Sequence, residues 1–341
     1  PLRLRLSGGA LADNWRWLAA QSAGAACGAA VKADGYGLGA REVVSRLRSV
    51  GCADFFVATW AEAEHLAPVI GDANLSVLHG LRAADVEVAA RSSGRPVLNS
   101  VEQVARWRAI GGGLCDVMVD TGMNRLGLTL AEACSGLLDG LSIDTLMSHL
   151  ACADEDCAMN RDQLQRFHAV AAGVDAARRS IANSAGICLG ADFALDLTRP
   201  GLALYGGVPR AEAVGHIAQV AFPEAEVLQV RMVPAGGSVS YNATWVAERD
   251  TRVAIINIGY ADGYLRAFSD KGAFAFAGAQ LPVIGRVSMD LVALAVPDDC
   301  DVHEGSVMAA RFNLPETSTV SGLSQYELIT SLGQRYARCW G

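Results

Sequence analysis

The sequence predicts an α/β fold: a (β/α)8 TIM barrel followed by a C-terminal, mostly β domain. Three observations carry this. Short apolar runs alternate with longer stretches of helical spacing over the first two-thirds of the chain, which indicates parallel βαβ units. After about Ala221 the texture changes to closely spaced strand-like runs separated by turn residues. No G-x-G-x-x-G follows the first strand, so the alternative of an open doubly wound sheet lacks its usual signature.

The elements follow in order. Leu2–Leu6 reads as a strand ahead of a first helix at Ala10–Ala20, and is expected to pair with the C-terminal domain. Barrel strands are expected at Gly28–Val31, Phe55–Ala58, Leu75–Leu78, Pro96–Leu98, Asp116–Val119 and Thr145–His149. Helical spacing marks Ala40–Gly51, Ser100–Ile110 and Asn160–Ala177. Six or more units over about 200 residues suit a closed barrel better than a small open sheet. In the second domain, strands are expected at Val227–Val233, Arg252–Ile258, Ala273–Phe276, Leu281–Val287 and Leu291–Val296, with one helix near Ser324–Arg335. The expected boundaries are 9–221 for the barrel and 222–341, with strand 1–8 added, for the β domain.

Composition narrows the function. Hydrophobic residues make up 51% of the 341 and charged residues 19%, enough to build a large core. A net charge of -8 argues against nucleic-acid binding. No run reaches the roughly 18 apolar residues of a membrane span. No signal-peptide pattern is visible. The nine cysteines contain no C-x-x-C pair, so neither a zinc site nor a disulfide scaffold is expected; no metal is expected at all. A reducing, cytoplasmic location is expected.

Only two lysines, Lys32 and Lys271, stand against twenty-six arginines. Arginine does not readily lose its proton, so any reactive side-chain amine is one of these two. Lys271 follows Asp270 in a turn. Lys32 ends an apolar run and precedes a Gly-rich turn, Ala33-Asp34-Gly35-Tyr36-Gly37. In a barrel that position is the catalytic face. A lysine in its low-dielectric mouth has a lowered pKa and can form a Schiff base. Taken alone, a solvated lysine at a strand end would be the commoner outcome.

The whole motif, A-V-K-A-D-G-Y-G-L-G-A around Lys32, resembles the cofactor-lysine signature of the alanine racemase family. Val119-Asp120-Thr121-Gly122-Met123-Asn124-Arg125-Leu126-Gly127 resembles that family's arginine loop, and Ser148-His149-Leu150 its histidine strand. Asn183-Ser184-Ala185 and Arg199-Pro200-Gly201-Leu202 resemble its phosphate and pyridine contacts. Val239-Ser240-Tyr241, Ile258-Gly259-Tyr260, Ser288-Met289-Asp290 and Tyr326-Glu327-Leu328 follow in the family's order. The resemblance runs along almost the entire chain.

It implies pyridoxal 5'-phosphate as cofactor and L-alanine/D-alanine interconversion, supplying D-alanine for peptidoglycan or using it in catabolism. It also implies a head-to-tail homodimer with shared active sites. Removing a proton from one face and returning one to the other calls for two bases. By resemblance these are Lys32 and Tyr241 from the partner subunit. A free tyrosine has a pKa near 10, so it needs help from His149 and a nearby Arg. Arg199 would face the pyridine nitrogen, weaken the electron sink and limit transamination. Tyr36, His149, Asn183, Ser184, Gly201, Leu202 and Tyr326 would hold the cofactor. Arg125 and Met289 would take the substrate carboxylate, and Tyr260 would lie at a narrow entrance.

One departure stands out. Many family members carry a carbamylated lysine seven residues before the loop arginine, where this chain has Met118. A bound anion such as chloride, or another acidic side chain, is expected to replace it. The alternative activity is a racemase for serine or for a broad range of amino acids on the same scaffold. A decarboxylase on a similar barrel would not be expected to carry a tyrosine in the V-S-Y context, and a non-catalytic cofactor carrier would not need the second domain.

Overall fold

The computed structural model describes residues 2–341. The chain forms two units, Leu11–Ala218 and the segment through Ala10 joined with Gln219–Gly341.

In the first unit, strands Ala29–Ala30, Asp54–Val57, Asn74–Val77, Arg95–Leu98, Cys115–Met118, Ile143–Met147 and Arg178–Ser180 form one parallel sheet in sequence order. An eighth strand, Leu197–Thr198, pairs in parallel with Ala26–Cys27, at the start of the first. Its other edge meets the seventh: Asp196 N–H donates to Arg179 C=O (3.1 Å) and Arg199 N–H to Ala182 C=O (2.8 Å). The sheet is thus closed as a (β/α)8 barrel. Strands such as Asp54–Val57 and Arg95–Leu98 are buried at every position, as a parallel sheet covered on both faces requires. The last two barrel strands are not marked by an apolar run, because Arg178–Ser180 carries two arginines and Leu197–Thr198 lies between Asp196 and Arg199.

The N-terminal ends of these strands carry an ionic layer. Arg178 bridges Asp54 (2.8 Å) and Asp144 (2.6 Å). Arg95 pairs with Asp144 at 2.9 Å and faces Asp116 at 3.8 Å. Asp116 also accepts from the Ser76 hydroxyl (2.6 Å) and the Thr145 N–H (3.1 Å). Burial outweighs these partners and pushes the Asp116 carboxyl up to about 6.

In the second unit the long strand Ala221–Val233 pairs with Val307–Ala310 through its first half and with Thr251–Ile256 through its second. The chain of pairings runs on through Val292–Val296, Ala279–Ile284 and Ala273–Phe276 back to Val307–Ala310, so six strands form a closed ring with no free edge. Arg3–Leu6 adds outside it, antiparallel to Ala221–Glu224, which bears out the expected pairing. The ring strand Val307–Ala310 and the short pair Ser238–Val239 and Trp245–Val246 were not expected, and neither were two further elements. Ala337–Trp340 forms a strand parallel to Arg3–Leu6, and Leu314–Ser321 forms a helix. The expected helix near Ser324–Arg335 is shorter, Gln325–Thr330, started by a Ser324/Glu327 capping box. Among the described residues no helix is long and apolar enough to cross a membrane.

The raised Asp116 pKa has a signed consequence. Its native proton affinity exceeds the unfolded one, so it adds stability at low pH that is lost as pH rises through about 6. Asn at this position does not titrate. The stability of Asp116→Asn relative to the parent should therefore rise by about 2 kcal/mol between about pH 4.5 and 7.5, read from urea midpoints. A falling difference would contradict the assignment.

Candidate active site

Lys32 follows the first barrel strand, whose last ladder bond runs from Val31 N–H to Phe56 C=O (2.8 Å). The backbone then changes hand. Ala33 (φ 52°, ψ 48°), Asp34 (52°, 49°) and Gly35 (62°, 44°) are left-handed, and Tyr36 (φ 57°) and Gly37 (φ 86°) continue at positive φ. Glycine takes this conformation freely, but for Ala33, Asp34 and Tyr36 it costs about 1–2 kcal/mol each. Bonds within the turn offset part of that: Gly35 N–H to Val31 C=O (2.9 Å) and Gly37 N–H to Ala33 C=O (2.8 Å). Asp34 accepts the Ala40 N–H (2.8 Å) and so joins the turn to the helix Ala40–Ser49. Glu62 accepts the Ala33 N–H (2.7 Å).

Lys32 is half-buried. Burial lowers its pKa, Arg125 lowers it further, and Glu62 opposes both. The Arg125 loop is shaped by Asp120, which accepts from the N–H groups of Gly122 (2.8 Å) and Arg125 (3.1 Å). Met118 is buried beneath this loop, and a Cβ on Gly127 would meet its Cγ at 3.1 Å. Among the described residues no carboxylate lies within salt-bridge distance of the Arg125 guanidinium.

Arg199 is buried and donates to Ser148 C=O (2.5 Å) and to the Ser180 hydroxyl. Burial pushes its pKa down to about 10, with Asp116 pulling it back, so it stays a cation at neutral pH. His149 follows the sixth strand. Burial, then Arg199, Arg125 and Lys32, push its pKa down to about 3. Its imidazole is therefore neutral. The His149 C=O accepts from Gln163 (3.0 Å), which also reaches the Thr121 hydroxyl (3.1 Å), itself 2.8 Å from that of Ser148. This polar chain fixes the arginine loop to the histidine strand.

Beside the Lys32 turn, a Cβ on Gly201 would lie 2.2 Å from the Tyr36 hydroxyl, so only glycine fits there. The Ser184 hydroxyl accepts from Gly201 N–H (2.9 Å) and Ala203 N–H (3.2 Å), and Leu202 opens the short turn Leu202–Tyr205. Tyr36 stacks on Tyr205 (4.5 Å between centroids), whose hydroxyl donates to Ala30 C=O (2.8 Å). The Asn183 side chain is engaged locally, accepting from Gly186 N–H (2.9 Å) as a helix N-cap.

In the β unit, Tyr241 and Met289 are 64% and 54% exposed. Tyr241 opens a turn with Ser240, Asn242 and Ala243 at positive φ, and the Ser240 hydroxyl donates to Arg286 C=O (2.6 Å). Tyr260 N–H donates to Ser288 C=O (3.0 Å) and Ala261 N–H to Met289 C=O (3.1 Å), so Tyr260 and Met289 share one loop cluster. Arg335 clamps it, with two bonds to Asp262 (2.7 and 2.8 Å) and one to Asp290 (2.5 Å). Tyr326 sits on the Gln325–Thr330 helix, 45% exposed. Glu62, Gln163 and Arg335 were not singled out from the sequence. The Thr59-x-x-Glu62 spacing does signal a capping box, but no local pattern reports the bond to Ala33.

Known proteins resemble this chain over its whole length. Residues 6–209 match the profile of the alanine racemase N-terminal domain and 220–340 that of its C-terminal domain. The alanine racemase of Rhizobium meliloti (strain 1021) is 41% identical, covering 99% of this chain and 96% of its own. That of Acidiphilium cryptum (strain JF-5) is 40% identical over 98% and 97%. The crystal structure of alanine racemase from Bartonella henselae with covalently bound pyridoxal phosphate superposes with a TM-score of 0.93 at 34% identity, covering 100% of this chain and 99% of that one. The chain belongs to the alanine racemase family.

The neutral imidazole is testable. In NMR spectra of the cofactor-free chain, the His149 ring signals should stay flat from about pH 5 to 8, where an ordinary histidine titrates. A midpoint near 6.5 would contradict the half-buried, cation-flanked environment.

Proposed function

We propose that this chain interconverts L- and D-alanine with pyridoxal 5'-phosphate as cofactor, using Lys32 and Tyr241 of the partner subunit as bases on opposite faces of the substrate. The observation that carries the proposal is the convergence of a lysine of lowered pKa with two arginines and a neutral imidazole in one barrel mouth. The cofactor fits this surround. It is an anion, and the carboxylates that act on these cations are already engaged: Glu62 is bonded to three backbone N–H groups, and Asp116 to the Ser76 hydroxyl and the Thr145 N–H in the ionic layer. The Ser184 hydroxyl, held by the Gly201 and Ala203 N–H groups and free to donate its proton, and the nearby Tyr36 hydroxyl suit a phosphate.

Lys32 is the covalent anchor. Tyr36, His149, Asn183, Ser184, Arg199, Gly201, Leu202 and Tyr326 make up the remaining cofactor contacts. When bound, the cofactor withdraws electrons from the substrate and acidifies its Cα–H. The residues do the rest. Lys32 Nζ, with its ammonium form disfavoured, takes or returns a proton on one face. The phenol of Tyr241 of the partner subunit does so on the other, aided by His149 and an arginine. Arg199, a buried cation, would disfavour protonation of the cofactor's ring nitrogen and so limit transamination. Arg125 and Met289 of the partner subunit bind the carboxylate, with chloride or a similar anion offsetting Arg125 where Met118 replaces the carbamate. Tyr260 narrows the entrance.

A homodimer supports this arrangement, since Tyr241, Met289 and Leu291 (41%) leave large side chains exposed on the unit that carries them. The free cysteines suit the cytoplasm.

The direct test incubates the purified, cofactor-loaded protein with L-alanine and L-serine and follows the D-enantiomers by chiral chromatography. D-alanine should form fastest. No turnover of either would overturn the proposal, and faster serine turnover would redirect it to the serine reading. Lys32→Ala should abolish covalent cofactor absorbance, while Lys271→Ala should leave it. Tyr241→Phe should slow solvent exchange of the Cα proton of L-alanine more than that of D-alanine; equal slowing would count against the two faces. Replacing chloride by a bulky organic anion should raise the KM for alanine.

A further inference from the structure

We infer that Glu62 is a positioning residue for Lys32: its carboxylate fastens the peptide that follows Lys32 to the loop after the second barrel strand. This rests on Lys32 being the cofactor lysine.

Glu62 is the third residue of the helix Trp60–Ile70, and Thr59 caps that helix with a reciprocal bond to it. Capping alone would use one carboxylate oxygen on Thr59 N–H. Here Oε2 accepts both Thr59 N–H (3.1 Å) and Ala58 N–H (2.6 Å). Oε1 turns away to accept Ala33 N–H at 2.7 Å, twenty-nine residues off in sequence. Ala33 is the first residue in the left-handed turn, and its N–H lies past the last bond of the strand ladder. Without Glu62 that donor would have no protein partner while the residue is held in a costly conformation. The peptide between Lys32 and Ala33 sets where the lysine side chain starts. Fixing it at one end, with Asp34 bonded to Ala40 at the other, fixes the origin of Lys32 at the barrel mouth.

The carboxylate has a second effect. The charged groups acting on Lys32 are Arg125 and Glu62, and His149 stands in the same field. Of these Glu62 alone favours the ammonium. It therefore limits how far burial and Arg125 lower the amine.

The chain's two lysines make this measurable without turnover. The full-length, cofactor-free protein is reductively methylated with 13C and titrated by NMR. Two side-chain signals result, assigned with Lys271→Arg. In Glu62→Gln the Lys32 midpoint should fall by about half to one pH unit while Lys271 stays put. Glu62→Asp, which keeps the charge on a shorter arm, should recover part of the shift. Thr59→Ala, which removes the cap but leaves the carboxylate, should weaken thermal stability and leave the Lys32 midpoint in place. A folded Glu62→Gln protein with an unmoved Lys32 midpoint would overturn the inference. So would a Thr59→Ala protein showing the same shift as Glu62→Gln, because the effect would then belong to the helix cap. Borohydride reduction of the loaded parent protein, followed by peptide mapping, separates the underlying premise: a tag on Lys271, or on no lysine, would overturn the role of Lys32 whatever Glu62 does.

Discussion

The reversal of backbone hand after Lys32 is the constraint on which the rest of the site depends. A parallel strand can deliver a residue to the barrel mouth, but an ordinary right-handed turn would carry the chain away along a different path. Five successive residues at positive φ, three of them not glycine, are held by turn bonds and by two carboxylates, Asp34 and Glu62. Such strain persists only where surrounding structure over-determines it. The same turn brings Tyr36 against Tyr205 and up to the bare backbone of Gly201. The positions of Lys32, the Tyr36 phenol and the Gly201 backbone beside it are therefore products of one local conformation.

Charge is layered along the barrel. The N-terminal strand ends hold an alternating set of acids and arginines, buried and cross-bonded. Arg199 lies in the barrel interior, bonded to Ser148 and Ser180, and Asp116 of the ionic layer helps keep it charged. Beyond it, Lys32 and His149 both lose proton affinity to burial and to neighbouring arginines. The result is a mouth rich in positive charge in which the lysine's pKa is lowered and the imidazole is neutral.

Much of this was legible in the sequence. Six barrel strands announce themselves as apolar runs because parallel strands are buried on both faces. The change of texture after Ala221 reflects strands in a ring with one face outward. The strands Arg178–Ser180 and Ala337–Trp340 leave no such mark because arginines interrupt them, and Leu197–Thr198 because it is only two residues beside charged neighbours. Lys32, Arg125, His149, Arg199 and Tyr241 were readable as motifs. Glu62 was not, since its decisive bond spans twenty-nine residues, and neither was Arg335, seventy-three residues from Asp262. Long-range partners of this kind depend on the closed fold and leave no periodicity behind. Asn183 illustrates the converse: its motif suggested a cofactor contact, while its side-chain oxygen also serves as a helix cap.

The most direct measurement of two-base racemisation is the fate of the α-proton in deuterated water. The loaded enzyme is given protiated L-alanine or D-alanine and stopped well before equilibrium. With Lys32 and Tyr241 of the partner subunit on opposite faces, each product should carry deuterium at Cα from the first turnover. The original proton should not be found in the product beyond a small fraction. Product that retains most of its α-proton in both directions would mean that a single group serves both faces, and would contradict the account.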